Sequence, residues 1–214
     1  MLDNMAFNLY LVRHGESEIN VQPDIMGQGP EVKLTQEGKA QAARLGDYIR
    51  KWNFDYIYSS PYKRAWDTAF IALGGVTPHM VPELREYDPG SWNSCNRSAI
   101  LTDDVQLRMG YQNMGFRPPN GESMNMVERR VSQWLEDEIL YNKDKLNYLY
   151  GLDKPMEVIA FSHGMTIKSL LHYVMGFDKS FTWKIDIDNT SITKLSYGDK
   201  GWRLHYINDT SHLK

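Results

Sequence analysis

The sequence predicts an α/β protein, a three-layer sandwich in which a mostly parallel central sheet is flanked by helices. Short runs of β-forming residues alternate along the chain with amphipathic segments of helical period, a pattern typical of parallel strands joined by right-handed crossovers. The 214 residues are 42% hydrophobic and 24% charged, which argues against a disordered or fibrous chain. We expect one domain over residues 1–214, with an inserted, lid-like segment at about residues 87–121.

The first elements are a strand and a helix. Residues 6–12 form an apolar run that stops abruptly at Arg13, as a buried strand does when it delivers a loop to the surface. Thr35 then provides a helix N-cap, and Ala42, Leu45 and Ile49 follow at the spacing of one buried helical face. We therefore predict that the chain begins with a β-loop-α unit.

The next segment repeats this pattern. Residues 55–59 are predicted to form a second strand, and Ser60-Pro61 a helix start, with serine as the cap and proline at the first helical position. This helix should run to about Leu73, before two glycines. A further short strand is expected near residues 80–84.

The next part of the chain begins with a segment of low periodicity. Residues 86–121 show little periodicity and are rich in Asn, Gly, Pro and Ser, so we interpret most of them as the insertion, partly helical around residues 99–109. Residues 123–141 are again amphipathic, and Arg129 and Arg130 are assigned to the solvated face of that helix. The remaining predicted elements are a hydrophobic strand at 157–161, a helix at 165–174 ended by Gly176, and a hairpin from 191–195 and 202–207.

Charge and cysteine content exclude several classes of protein. Lys and Arg number 24 against 27 Asp and Glu, a net charge of −3, and no basic run is present, so nucleic acid is not an expected partner. The longest apolar stretches are far shorter than the roughly 20 residues that cross a bilayer, so we expect no membrane partner. The single cysteine, Cys95, cannot close an intrachain disulfide, which favours a reducing cytoplasm. No metal-ligand motif suggests a metal or another cofactor.

Two histidines stand where chemistry is expected in such a sheet. His14 and His163 each directly follow a predicted strand and precede a glycine, and ligands of open α/β sheets bind beyond the carboxyl ends of the strands. Arg13 lies beside the first histidine. Lys63 and Arg64 occupy the first turn of a predicted helix, where cations oppose the helix dipole, so their position suggests function rather than stability. Two arginines and two imidazoles converging at one point would form a phosphate pocket.

The same residues fall within an ordered series of motifs. The motifs are Arg13-His14-Gly15 with Asn20, Leu34-Thr35 with Gly38, Ser60-Pro61 with Arg64 and Thr68, Leu84-Arg85-Glu86, Gly121-Glu122-Ser123, and Ser162-His163-Gly164. This series spans about residues 9 to 195, and it resembles the signature of the histidine phosphatase superfamily, the phosphoglycerate mutase-like proteins.

The resemblance implies a role for each matching residue. His14 would be the nucleophile that attacks phosphorus and forms a phosphohistidine, and Glu86 would protonate the leaving oxygen and then activate water. The remaining implied contacts to the substrate are the phosphoryl-binding Arg13, Arg64 and His163, together with Asn20, Gln28 and Gly164. Independently of the resemblance, the neighbouring cations should lower the pKa of His14 and keep its imidazole neutral near pH 7.

Within this family the sequence favours a phosphatase acting on a small phosphorylated metabolite. A mutase needs extra basic residues in the insertion to hold the substrate's carboxylate, and residues 86–121 supply only the well-separated Arg97, Arg108 and Arg117. Asn93-Ser94 departs from the family pattern after Trp92, which leaves the substrate open. The alternatives are phosphoglycerate mutase-type transfer and a non-catalytic module that binds a phosphorylated ligand. A homodimer is compatible with the sequence.

Overall fold

The computed structural model describes residues 5–22, 29–142 and 154–214, and it contains six strands and six α-helices in these ranges. The strands are β1 (Met5–Arg13), β2 (Tyr56–Ser59), β3 (His79–Met80), β4 (Met156–Ser162), β5 (Ile192–Gly198) and β6 (Gly201–Asp209). The helices are α1 (Gln36–Ile49), α2 (Lys63–Ala72), α3 (Arg97–Ile100), α4 (Asp103–Gln112), α5 (Met124–Leu135) and α6 (Gly164–Met175). A π-helical turn at Glu136–Leu140 extends α5.

The strands form one sheet in the order β3-β2-β4-β1-β5-β6. Strands β3, β2, β4 and β1 are parallel neighbours, and β5 pairs antiparallel with both β1 and β6. Only β5 therefore runs against the other five strands, and the predicted mostly parallel sheet is confirmed. The β5–β6 hairpin also closes at Gly198 and Gly201, as predicted.

Helices cover both faces of the sheet, which gives the predicted three layers. Successive residues of a strand point to opposite faces, and the two central strands bury both sets. Leu9 and Val158 pack with α5 and α6 on one side, whereas Tyr10 and Ile159 pack with α1 and α2 on the other. This double burial explains why both central strands appear in the sequence as nearly continuous apolar runs.

Two local predictions are wrong. The second helix begins at Lys63 rather than at Pro61, because the Ser60 hydroxyl accepts a hydrogen bond from the Tyr62 amide and closes a separate turn first. The strand expected near residues 80–84 ends at Met80, and Pro82–Leu84 forms a 3-10 helix instead. Proline has no N–H to donate to a sheet, so the ladder cannot continue through Pro82.

Residues 87–121, the predicted insertion, contain α3 and α4, in agreement with the helical content expected there. The two ends of this segment meet at Gly90 and Gly121: a Cβ built on Gly90 would lie 2.3 Å from the Gly121 nitrogen. Gly90 also has a φ of +56°, so only glycine fits this contact without strain. None of the helices in the described ranges is long and apolar enough to span a bilayer.

Candidate active site

The cleft lies where the carboxyl ends of β1 and β4 meet. Arg13 pairs with Ser162 in the sheet, and the His14 amide donates a 3.0 Å hydrogen bond to the Ser162 carbonyl, so His14 and His163 leave neighbouring strands together. The cleft has a volume of about 170 Å³. Its lining residues are Arg13, His14, Ile19, Asn20, Arg64, Glu86, Gly164, Met165, Lys168 and Ile187.

The hydrogen bonds of His14 assign its tautomer. Its Nδ1 lies 2.7 Å from the carbonyl oxygen of Gly15, which can only accept, so Nδ1 carries the hydrogen. The Nε of Arg64 donates to the His14 Nε2 at 3.2 Å, which requires a lone pair on Nε2. The basic nitrogen of His14 is therefore the one held beside the Arg64 guanidinium.

The electrostatic environment keeps this imidazole neutral. Burial lowers the pKa of His14 well below its usual value, and the charges of Arg64 and Arg13 lower it further. The prediction that neighbouring cations lower this pKa is confirmed, but the largest cause is desolvation, since His14 is only 3% exposed.

Arg64 is held in the cleft by hydrogen bonds of its guanidinium group and of its main-chain carbonyl. Its Nη1 donates to the Gly29 carbonyl at 3.1 Å, and its own carbonyl accepts a hydrogen bond from the Thr68 hydroxyl. Thr68 in turn accepts from the Gly15 amide at 2.9 Å. The helix that carries the arginine is thereby tied to the loop that carries the nucleophile candidate.

His163 and Arg13 contribute buried polar atoms to the same place. The ring centroids of His14 and His163 lie 5.1 Å apart, and the His163 Nε2 is 2.8 Å from the Ser60 hydroxyl oxygen. Neither the His163 Nδ1 nor the Arg13 Nε has a hydrogen-bond partner among the described residues, although both atoms are buried. Arg13 lines the cleft, whereas His163 is fully buried beside His14 and is not one of the lining residues. Buried polar atoms are nearly always satisfied, so the unpartnered Arg13 Nε in the cleft indicates a polar ligand.

Glu86 closes the opposite side of the cleft, next to the start of α6. Its carboxylate accepts hydrogen bonds from the Tyr87 amide at 2.8 Å and from the Met165 amide at 3.4 Å. The positive end of a helix dipole and two main-chain donors therefore hold this carboxyl group in a fixed orientation.

Asn20 lies at the edge of the cleft, and its side-chain oxygen accepts three hydrogen bonds. The Asn20 Oδ1 accepts hydrogen bonds from the Ser17 amide and hydroxyl, at 3.0 and 2.9 Å, and from the Asn189 amide group at 3.3 Å. Asn189 also donates to the His14 carbonyl at 2.9 Å. Sequence analysis missed Asn189, because it acts across 175 residues of chain separation and no local pattern marks it.

Arg130, which is largely buried, supports the loop that carries Glu86. Arg130 donates to the main-chain carbonyls of Glu83, Arg85 and Glu86, at 2.5, 2.8 and 3.1 Å, and it forms an ion pair with Glu122 at 3.0 Å. Its side chain is 11% exposed, so the assignment of Arg130 to a solvated face is wrong. The helical period placed it correctly on α5, but the loop that covers it is distant in sequence. Arg129 is exposed, as predicted.

The sequence analysis also named Lys63, Gly164 and Gln28 as residues at or near the site. Lys63, expected near the phosphate pocket, pairs with Asp67 at 3.0 Å and does not line the cleft, so its position in the first helical turn is offset by a local ion pair. Gly164 lines the cleft as predicted, and Gln28 falls outside the described residues. Lys168 lines the cleft too, and the sequence analysis did not single it out.

Within the described ranges, no cluster of three or more His, Cys, Asp or Glu side chains could hold a metal ion.

Comparisons with known proteins identify a family that this chain resembles along most of its length. A family model for the histidine phosphatase superfamily (branch 1) matches residues 9–210. The probable phosphoglycerate mutase GpmB of Yersinia pestis is 30% identical over 214 aligned residues, which cover 96% of this chain and 94% of that protein.

Two solved structures are similar over nearly the whole chain. A mutant phosphoserine phosphatase from Entamoeba histolytica in complex with phosphoserine has a TM-score of 0.82 at 26% identity and covers 97% of this chain and 100% of that one. Mycobacterial glucosyl-3-phosphoglycerate phosphatase has a TM-score of 0.79 at 27% identity, with 94% and 98% of the two chains covered.

Proposed function

The chain belongs to the histidine phosphatase superfamily (branch 1), and from this premise we propose that it hydrolyses small phosphomonoesters through a phosphohistidine on His14. One observation carries the proposal: a neutral, buried His14 with its basic Nε2 in a cleft where the buried Arg13 Nε has no partner among the described residues. A phosphoryl group fits this arrangement, since its oxygens accept hydrogen bonds and carry negative charge.

The first step transfers the phosphoryl group to the enzyme. The Nε2 lone pair of His14 attacks phosphorus, the bond from phosphorus to the ester oxygen breaks, and the proton of Glu86 passes to the leaving oxygen to release the alcohol. Arg13, Arg64 and His163 stabilise the charge on the three equatorial oxygens. The Arg64 Nε, which donates to the His14 Nε2 in the free enzyme, would turn to a phosphoryl oxygen as the N–P bond forms.

The second step regenerates the enzyme. Glu86, now a carboxylate, takes a proton from water while the water oxygen attacks phosphorus. The N–P bond breaks, and its electron pair returns to the His14 Nε2. Inorganic phosphate leaves, so the overall reaction consumes one ester and one water and yields one alcohol and one phosphate, with Glu86 again protonated.

The size of the cleft and the similar proteins support a small substrate. Its volume of about 170 Å³ is below the roughly 300–1,000 Å³ of sites that enclose drug-sized ligands. Two phosphatases of known structure that resemble this chain are named for phosphoserine and for glucosyl-3-phosphoglycerate, both small phosphorylated metabolites.

Mutase-type transfer is the second candidate, and it is favoured by the name of the GpmB relatives. The inserted segment argues against it. Of the residues that line the described cleft, none comes from residues 87–121, so Arg97, Arg108 and Arg117 do not supply the extra cations that would hold a phosphoglycerate against transfer to water.

A substrate screen separates these candidates. The purified protein is incubated with sugar, nucleotide, amino-acid and hydroxy-acid phosphates, and both inorganic phosphate and isomerised ester are measured. Phosphatase function predicts phosphate release that is lost in His14→Asn. Isomerisation of phosphoglycerate without phosphate release would assign the mutase reaction instead, and binding of phosphate esters without either product would leave only a binding module.

A further inference from the structure

The turn at residues 188–191, just before β5, holds the main chain of the nucleophile candidate. The Thr190 amide donates to the carbonyls of Arg13 and His14, at 3.0 and 3.3 Å. The Asn189 side chain donates to the same His14 carbonyl. The position of the His14 main chain, and with it the position of its imidazole, therefore depends on the conformation of this turn.

Thr190 adopts a conformation that its side chain disfavours. Its φ is +57°, in the left-handed region that a β-branched residue rarely occupies. Such a strained residue persists only where the surrounding structure holds it, and strained residues cluster at functional sites. In this conformation the Thr190 amide reaches both carbonyls of the nucleophile loop, so the strain accompanies a contact to the site.

His212 holds the Thr190 side chain. The Thr190 hydroxyl donates its one hydrogen to the Asn189 carbonyl at 2.7 Å, so its oxygen accepts a 2.9 Å hydrogen bond from the His212 Nε2. His212 lies in the 3-10 helix Ser211–Leu213, and its ring centroid is 5.8 Å from that of Tyr48 on α1. Of the residues that line the described cleft, none belongs to this 3-10 helix.

A second contact from the same segment holds the start of the turn. Asn208, near the end of β6, accepts a hydrogen bond from the Asp188 amide at 2.6 Å and donates to the Asp188 carboxylate at 2.9 Å. Residues 208–212 therefore hold the turn at both Asp188 and Thr190.

Stability alone does not explain a histidine at position 212. The side chain of His212 is buried, and its Nδ1 has no hydrogen-bond partner among the described residues. A buried polar atom without a partner lowers stability, and an apolar side chain would avoid that cost. The hydrogen bond to Thr190 is the contact that an apolar side chain could not make.

We propose that His212 is a positioning residue for phosphoryl transfer: it holds the strained Thr190 turn, and the turn fixes the main chain of His14 for attack on phosphorus. This inference rests on the proposed phosphatase function and adds to it a residue outside the cleft. Loss of the hydrogen bond should slow the formation of phosphohistidine more than it weakens substrate binding, because a misplacement of about 1 Å can lower a rate by about 10²-fold.

Single-turnover kinetics test the proposal. With enzyme in excess over an aryl phosphate, phenolate release gives the rate constant of His14 phosphorylation, and its dependence on enzyme concentration gives the apparent affinity. We expect His212→Leu to lower the rate constant at saturation at least about 10-fold and to change the apparent affinity less than about threefold. His212→Gln should keep most of the rate, because its amide N–H can replace the Nε2 hydrogen as donor.

His205 provides a matched control. Its Nε2 lies 2.7 Å from the Ser196 hydroxyl oxygen, so the pair makes the same type of contact between β5 and β6, and neither residue lines the described cleft. His205→Leu should keep the wild-type rate constant of phosphorylation.

A double-mutant cycle tests whether His212 acts through Thr190. Thr190→Gly removes the hydroxyl, and glycine adopts a φ of +57° without strain, so the amide contacts to the nucleophile loop should persist. His212→Leu should therefore have no further effect on the rate constant in Thr190→Gly. All variants are compared at a temperature at which urea titration shows them to be fully folded.

Three results would contradict one or other part of this account. A wild-type rate constant in folded His212→Leu, even with lower stability in urea, would overturn the positioning role and leave the phosphatase function standing. An equal loss of rate with and without the Thr190 hydroxyl would overturn it too. Absence of phenolate release by the wild-type enzyme would instead contradict the proposed function itself.

Thr190→Val provides the same comparison if His212→Leu does not fold. Valine keeps the shape of the side chain and removes only the hydroxyl group that accepts from His212. The proposal predicts the same loss of rate in Thr190→Val, and a wild-type rate constant there would overturn it.

Discussion

The Nε of Arg64 donates a 3.2 Å hydrogen bond to the Nε2 of His14. Nε2 is the unprotonated ring nitrogen, because Nδ1 carries the hydrogen that is donated to the Gly15 carbonyl. One guanidinium thus protects the lone pair of the nucleophile candidate from protonation and stands ready for the phosphoryl oxygens. Removal of Arg64 would weaken both effects, whereas removal of Glu86 should affect only proton transfer. The two residues can therefore be distinguished by kinetics.

The first prediction concerns Glu86 as the proton donor. Glu86→Gln cannot protonate the leaving oxygen, so kcat should fall by about 10² to 10⁴ for an alkyl phosphate. An aryl phosphate whose phenolate leaves without protonation should still phosphorylate His14. Its reaction should then show a burst of phenolate, because water is no longer activated for the second step. Stopped-flow absorbance measures both phases, and an equal loss for the two ester types without a burst would contradict the role of Glu86.

The second prediction concerns stability in acid. Burial lowers the pKa values of His14 and His163 well below 6.5, so below that pH the unfolded chain binds protons that the folded protein does not. Stability should fall from about pH 6.5 downward, by about 1.4 kcal/mol per pH unit for each of these histidines. Urea unfolding at pH 5 to 7 measures this slope. His14→Asn should reduce the slope by one histidine's share, and His79→Asn, at an exposed position, should leave it unchanged.

The third prediction concerns Arg130 as a positioning residue. Arg130→Met removes the donor to the Glu83 and Glu86 carbonyls, and it leaves Glu122 with Arg85 as its remaining ion-pair partner, so the free energy of unfolding should drop by about 1 to 3 kcal/mol. The rate of hydrolysis of the folded variant should also fall, because the Glu86 main chain loses its anchor. The neighbouring exposed Arg129 gives the matched control, Arg129→Met. Equal stability and activity for the two variants would show that the Arg130 contacts do not hold the loop.

The fourth prediction concerns the contact between the loop after β1 and helix α1. A Cβ on Gly38 would lie 1.9 Å from the Glu16 carbonyl oxygen, and a Cβ on Gly15 would lie 2.6 Å from the Gly38 carbonyl oxygen. Gly38→Ala should lower stability by about 1 to 3 kcal/mol, the usual cost of overpacking. Gly110 in α4 has nothing within 4 Å of its Cβ position, so Gly110→Ala should instead stabilise by about 0.5 to 1 kcal/mol. Thermal unfolding distinguishes the two signs, and a stable Gly38→Ala protein would contradict this packing.

The parts of the fold and site that were predictable from sequence are those with a local signal. The apolar strands, the Thr35 cap and the Gly176 helix end each leave a mark within a few residues, and each is found in the structure. His14, Arg64, Glu86 and His163 could be predicted as site residues because they occur in an ordered set of motifs.

Other features depend on contacts between distant segments. Asn189 reaches His14 from the far end of the chain, and Arg130 is covered by a loop more than 40 residues earlier. Lys168 resembles any surface lysine on a helix until the structure places that helical turn at the cleft. The helical pattern alone does not reveal which neighbours cover these side chains.

The central claim is that the phosphoryl group passes through a covalent bond to His14. Labelled phosphomonoester is mixed with enzyme, quenched in base within milliseconds, and the digested peptides are mapped by mass spectrometry. We predict a base-stable, acid-labile phosphate on His14 that forms and decays at rates consistent with turnover, and no labelled peptide in folded His14→Asn. Phosphate release by His14→Asn at the wild-type rate, or a label on another residue in the wild-type enzyme, would contradict the account.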